Sequence, residues 1–248
     1  MSLQDQRVSS LEEILRQIKD EKVIFLGEGH EITGDHLVQL EVVRRLHEDG
    51  KNVVIALEMF PAEAQSILNK WVGGEISEND FKSAYYSTWS VSYENYSNIF
   101  EYARQVRIPL AGINGPEALI NNVAKTGIEN LPRDFRKAVK VPSCSQLPEY
   151  SRMINFFEKR IAHGSKMPFF CEAQLLRDSL MAYHIAGVLG RGNFTVVALV
   201  GATHALKMAV SKILINNYNV KSAVLMSKQF VDIISPELKG DIADYIWY

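Results

Sequence analysis

Neither charge dominates this 248-residue chain: 27 Lys and Arg stand against 29 Asp and Glu, a net of −2. That balance lacks the basic footprint of a nucleic-acid binder, so nucleic acid is not an expected partner. No apolar run approaches the roughly 18 residues of a membrane span. Residues 1–22 are charged and lack the apolar segment of a signal peptide, which points to the cytoplasm; a removed leader would make the periplasm or a membrane-anchored lipoprotein the expectation instead. Cysteine is scarce. Cys144 and Cys171 form no CxxC pattern, which excludes a zinc ribbon, an iron–sulfur site and covalent c-type haem. One disulfide is open to them, but two reduced thiols are the simpler expectation, with Cys171 a buried inert thiol beside Phe169 and Phe170. Internal repeats and low-complexity segments are also missing.

What is present is a regular alternation. Leu11, Ile14, Leu15 and Ile18 recur at helical spacing over 10–19, with Ser9 or Ser10 as N-cap. The apolar run 23–26 predicts a buried strand stopping at Gly27-Glu28-Gly29-His30. A helix follows over 35–48, then a strand over 53–57 ending at Glu58 and a helix over 62–71 broken by Gly73-Gly74. A helix over 93–106 precedes a third strand, 110–113, ending at Asn114, and Pro116 opens another helix. Residues 130–148 are the least regular. A long helix over 169–189, a strand over 195–200 ending in Gly201-Ala202-Thr203-His204, a helix over 205–217 and a strand over 220–226 complete the pattern. Continuous apolar strands alternating with helices predict an α/β fold: a mainly parallel sheet of about five or more strands with helices on both faces. The whole of 1–248 reads as one domain with a helical excursion around 115–165.

Ligands of open parallel sheets bind outside the carboxyl ends of the strands. There the chain delivers Glu28 and His30, Glu58, Asn114, and His204. Unpartnered burial of such groups costs about 2–7 kcal/mol each, so they must meet each other, a ligand or a metal. Singly, each has an ordinary explanation as a helix cap or a satisfied histidine. Together, two imidazoles and two carboxylates suit a divalent metal such as Zn, Mn or Co with open positions for water, which acts as Lewis acid or hydroxide source. Gln174, Arg177, Asp178 and Met181 share one helix face, and Arg177 points at an anionic ligand or forms a plain surface pair with Asp178. His36 and Gln39 share another face, with His36 a direct ligand or a support behind one. The aromatic stretch 85–96 is either a cluster packed on the sheet or a lid or dimer surface for a flat ligand.

These pieces resemble the ChaN-like haem-binding family. The resemblance is carried by Leu26-Gly27-Glu28-Gly29-His30, by Ala56-Leu57-Glu58-Met59-Phe60, and by Trp89, Tyr96 and Tyr102-Ala103-Arg104. Gln174-x-x-Arg177-Asp178-x-x-Met181-Ala182, Gly201-Ala202-Thr203-His204 and Ala243-Asp244-Tyr245-Ile246-Trp247 complete it. It runs from about 20 to 247, without a family motif in 125–165. It implies an α/β fold with the site at the strand ends and a haem-binding protein of iron acquisition or haem handling. Haem would lie between the subunits of a homodimer on a tyrosine, Tyr96 first, then Tyr93 and Tyr86. The wider superfamily of Tiki-type metalloproteases, TraB-type proteins and erythromycin esterase-like hydrolases shares paired Gly-x-x-His motifs, here Gly27–His30 and Gly201–His204. It implies instead a metal-dependent ester or peptide hydrolase using Glu28, His30, Glu58 and His204. A third reading is a relative that binds a small anion at Arg177 and the glycine turns.

Overall fold

The runs of Val, Ile and Leu that begin each repeat form strands because branched side chains pack well on a pleated surface. A computed structural model describes residues 9–161, 167–233 and 242–248. In chain order the elements are α1 (Leu11–Gln17), β1 (Val23–Glu28), α2 (Thr33–Glu48), β2 (Val53–Pro61), α3 (Gln65–Gly73) and α4 (Glu78–Tyr86). Then come α5 (Ser97–Val106), β3 (Leu110–Asn114), α6 (Glu117–Thr126), α7 (Arg133–Val139), α8 (Pro148–Ile161) and α9 (Phe170–Leu189). The remainder is β4 (Thr195–Gly201), α10 (Ala202–Ala205), α11 (Lys212–Tyr218), β5 (Ser222–Ser227), α12 (Lys228–Ile233) and β6 (Tyr245–Trp247).

The six strands form one sheet in the order β3-β2-β4-β1-β5-β6, every pair parallel. Every residue of β1 is buried. Val23 and Phe25 enter one core with side chains of α8, α9 and α11, while Ile24 and Leu26 enter a second with α1, α2, α3 and α5. Alternate residues thus feed opposite layers, and helices cover both faces as the unbroken apolar runs require. Each such side chain contributes about 1.5–3 kcal/mol by leaving water.

The topology places the site. The chain leaves β1 for β2 but leaves β4 for β5, so the two neighbouring strands send their connections in opposite directions. That reversal is where ligands bind in open parallel sheets. Register brings the polar groups level: Leu26 and Leu57 both face Leu199, and Glu28 faces Gly201. Glu28, Glu58 and Gly201 therefore end on one rim.

Local departures from the sequence pattern have physical causes. The expected helix over 205–217 is broken: α10 ends at Ala205, Leu206 is extended, and Ala209 leaves the helical region before α11 begins. Lys207 there spends its N–H on the carbonyl of Ile242. The helix expected over 93–106 divides into a single turn, Tyr93–Asn95, and α5. The irregular stretch 130–148 holds α7 and a turn, Cys144–Gln146. Residues 162–165 of the expected excursion lie outside the described residues. The two cysteines are not free thiols, since Cys144 and Cys171 are joined in a disulfide. The expectation failed because α8 doubles back on α9 and carries two positions 27 apart in sequence into contact. Among the described residues no helix is long and apolar enough to cross a membrane.

Candidate functional site

At the end of β1, Glu28 is buried with its carboxylate enclosed by donors. Its Oε1 accepts from His30 Nδ1–H at 2.8 Å and from the Tyr96 hydroxyl. Its Oε2 accepts from Gln39 Nε2–H at 2.5 Å. His36 lies behind this group, buried, with Nδ1 3.6 Å from the same Oε2 and Nε2–H donating to the His30 carbonyl at 3.0 Å. The Gly29 N–H donates to Asp35 Oδ2 at 2.9 Å, and Trp247 Nε1–H donates to Asp35 Oδ1 at 3.0 Å. These ties fix the turn that presents His30, whose ring meets Trp89 edge-on with centroids 5.1 Å apart.

Glu58 lies within β2, which runs on to Pro61 past the expected end, at the point where pairing with β4 stops and pairing with β3 shifts register; it is equally buried, and its Oε2 accepts from the Gly201 N–H at 2.6 Å. Its Oε1 lies 3.5 Å from His204 Nε2. His204 Nδ1–H donates to Asp178 Oδ1 at 2.5 Å, and the Tyr150 hydroxyl donates to Asp178 Oδ2 at 2.7 Å. Asn114, at the end of β3, donates from Nδ2 to the Glu58 carbonyl at 2.9 Å, and its Oδ1 accepts from Arg177 Nη1 at 3.2 Å. The other Arg177 nitrogen donates to Glu117 Oε2 at 2.8 Å.

The two halves meet over Gly201. A Cβ added there would lie 2.9 Å from His30 Nε2 and 3.5 Å from Glu58 Oε2, so glycine is what lets the ring and the carboxylate approach. The charges settle one another. Burial raises the Glu58 carboxyl, but His204, His30 and the Gly201 N–H outweigh it and hold the group below its ordinary 4.5. Burial likewise opposes a charged His204, yet Glu58 and Asp178 hold it above 6.5. His30 stands above 6.5 because its bond to Glu28 and the charge of Glu58 overcome its burial.

The metal expectation finds no support among the described residues. Among the described residues no three of His, Cys, Asp and Glu form a group able to hold a metal ion. Glu28, His30, Glu58 and His204 are instead spent on one another and on Asp178, Gln39, Tyr96 and a backbone N–H.

Above the pairs opens a cleft of about 560 Å³ whose walls include Glu58, Tyr86, Thr88, Trp89, Gln174, Arg177 and His204. Of the three tyrosines named from the sequence, Tyr86 borders it and is 47% exposed. Tyr93 and Tyr96 are 0% exposed. Burial pushes the phenols of both far up, reinforced for Tyr96 by Glu28. The stretch 85–96 is thus largely an aromatic cluster in the core, with Tyr93 packed on Phe81, Tyr85 and Tyr93 both on Phe100, and only one edge facing the cleft. The surface Arg177–Asp178 pair is absent, since Asp178 is buried and Arg177 turns to Glu117 and Asn114. Sequence reasoning gave Tyr150 no role. It arises from a region without a motif, and only its place on the apolar side of an amphipathic helix, in the first turn, signals burial. Trp89 carries a buried Nε1–H with no hydrogen-bond partner among the described residues.

Comparison with known proteins agrees with this frame. Residues 14–212 match the family described as haem-binding uptake, Tiki superfamily, ChaN. Among solved structures, cofacial haem-binding ChaN of Campylobacter jejuni superposes with a TM-score of 0.75 at 18% identity, over 99% of this chain and 94% of that one. An erythromycin esterase, EreC, in its open conformation superposes with 0.55 at 14% identity, over 91% and 74%. Both likenesses show the fold. A curated relative, the chloroplastic RETICULATA-RELATED 5 protein of Arabidopsis thaliana, is 23% identical over 95% of this chain. The chain spans about a third of that relative's length, 35%.

Proposed function

This chain belongs to the ChaN haem-binding uptake family of the Tiki superfamily, and we propose that it binds haem in the cleft above Glu58 for iron acquisition or haem handling. The observation that carries the reading is the make-up of that cleft: one exposed tyrosine, one guanidinium and one unpartnered indole N–H around a volume of about 560 Å³. These residues fit the group. Haem supplies an iron that accepts a tyrosine oxygen, on a flat macrocycle with two carboxylates. Tyr86 is the proposed ligand because its ring stands in the cleft while Tyr93 and Tyr96 are enclosed. Arg177, Gln174 and the Trp89 N–H are the proposed donors to the carboxylates. Asn114 acts through Arg177, and His36 acts through His30 and Glu28.

Titration of the protein with haemin tests this. A saturating shift of the Soret band, lost in Tyr86→Phe and kept in Tyr96→Phe, is expected. Weak, non-saturating uptake overturns the reading. The cleft is open on one side, which suits pairing of two copies, so a haemin-dependent homodimer is expected in light scattering. The disulfide favours an oxidising compartment, hence the periplasmic reading over the cytoplasmic one.

One observation keeps a hydrolytic reading as the alternative. His30 and His204 each spend Nδ1–H on a carboxylate, and Nε2 of His204 faces Glu58 beside the cleft. Carboxylate-oriented imidazoles serve proton transfer. A panel of esters and peptides on wild type and His204→Ala decides it, and equal turnover by the two removes it.

A further inference from the structure

The segment between α6 and α9 touches the residues behind the cleft through Tyr150. Tyr150, in the first turn of α8, is 1% exposed and holds Asp178 Oδ2 by its hydroxyl at 2.7 Å. Asp178 in turn holds His204 Nδ1–H, leaving Nε2 turned to Glu58. The charged groups around His204 are Glu58 from β2 and Asp178 and Arg177 from α9. A phenol from the excursion thus stands behind the imidazole that borders the ligand space.

What fastens Tyr150 is equally specific. Cys144 opens the turn that leads into α8, and it is bonded to Cys171 in the first turn of α9, two turns ahead of Asp178. Between these points stands Ser151, the neighbour of Tyr150. Its hydroxyl donates to the Cys144 carbonyl at 2.6 Å and lies 3.8 Å from Cys171 Sγ. The bridge, Ser151 and the Tyr150–Asp178 bond are successive ties between the same two pieces of chain. Both half-cystines are only partly buried, so a small thiol reaches them.

We propose that the Cys144–Cys171 bridge is a redox clamp on the cleft: closed, it seats Tyr150 on Asp178 and fixes His204 with Nε2 toward the ligand space; opened, it releases that arrangement. A dithiol reductant opens it. One thiolate attacks a protein sulfur and the Sγ–Sγ bond breaks to a mixed disulfide. The second thiol of the reductant then displaces the other protein sulfur. The protein gains two electrons and two protons as two thiols, and the reductant leaves as its cyclic disulfide. Tyr150 is a positioning residue in this scheme. In a reducing compartment the chain carries an unset His204, and oxidation completes the cleft wall. The bearing on haem rests on the reading of the preceding subsection, whereas the clamp does not.

The test reads the proton between His204 Nδ1 and Asp178, a downfield resonance in the NMR spectrum of the folded, oxidised chain. The expected result is that this resonance is lost when wild type is reduced with dithiothreitol, while the dispersed amide spectrum persists. It is also absent from oxidised Tyr150→Phe and from the Cys144→Ser, Cys171→Ser double variant. A resonance that survives reduction and both sets of substitutions overturns the clamp. So does global unfolding on reduction, because the bridge would then hold the whole domain rather than one arm. Reduction of wild type needs no variant to fold, so the proposal stays testable if Tyr150→Phe does not. Haemin titration of the oxidised chain reads the other proposal separately: failure to saturate, with the resonance still responding to reductant, removes haem and leaves the clamp.

Discussion

Substituting alanine at Gly201 probes the meeting of the two halves of the site. The residue has φ −54° and ψ 143°, a conformation any L-residue adopts without strain, so only space decides the outcome. The added Cβ would lie 2.8 Å from Cε1 and 2.9 Å from Nε2 of His30. Carbon contacts settle near 3.5–4.0 Å, so the ring must retreat by about 0.7 Å. That retreat disturbs the 2.8 Å bond to Glu28 and the edge contact with Trp89. Overpacking of this kind costs about 1–3 kcal/mol, a fall in melting temperature of roughly 2–12 °C for a chain of this length. Gly187 supplies the control: it lies within α9, and an added Cβ meets nothing within 4 Å. Gly187→Ala should gain about 0.5–1 kcal/mol from helix entropy alone. Thermal melts by circular dichroism, with the His30 ring followed by NMR, measure both. A Gly201→Ala protein that melts at or above wild type with His30 unmoved refutes the reasoning.

Three further outcomes are expected. Tyr96→Phe removes one donor from buried Glu28, which costs about 1–3 kcal/mol and shows as an earlier urea midpoint; an unchanged midpoint means Glu28 does not depend on the phenol. For pH, His30 and His204 have folded values above their ordinary 6.5, so their contribution is complete below pH 6.5 and fades as the pH climbs through those raised values. Glu58 has a folded value below 4.5, so its contribution is complete above pH 4.5 and fades on acidification. The melting temperature should therefore peak between pH 4.5 and 6.5, and a curve still rising beyond that window contradicts the coupling. Removing the disulfide with the Cys144→Ser, Cys171→Ser pair frees a loop 27 positions long, which chain entropy values at about 3–4 kcal/mol; equal denaturant midpoints for variant and oxidised wild type would refute that figure.

The rim residues were legible because their signal is one-dimensional. Glu28, Glu58, Asn114 and His204 each follow an apolar run that must be a buried strand, and parallel strands share one carboxyl end. Which atom faces which was not legible. The residue types at positions 28, 30, 58 and 204 suit a metal as well as they suit two carboxylate–imidazole pairs, and the pairing of individual atoms follows only from the register and the Gly201 contact. The burial of the tyrosines was not legible for a related reason. Their neighbours are polar, yet Tyr85 buries by donating to the Val91 carbonyl and Tyr96 by donating to Glu28, partners that do not show in a local window. Cys144 and Cys171 became a pair only through the return of α8 along α9. β6 was missed because three residues carry no period, although its residues had stood out as part of the family's closing motif.

The bond from Trp247 to Asp35 spans 212 positions, and Asp35 in turn steadies the turn that holds His30. Loop closure over so long a separation comes late and slowly in folding. The turn that carries His30 is therefore tied to the last strand of the sheet, and this support is complete only once β6 has docked beside β5. A chain with β6 undocked would lack that support for the His30 turn, however well its central strands were paired.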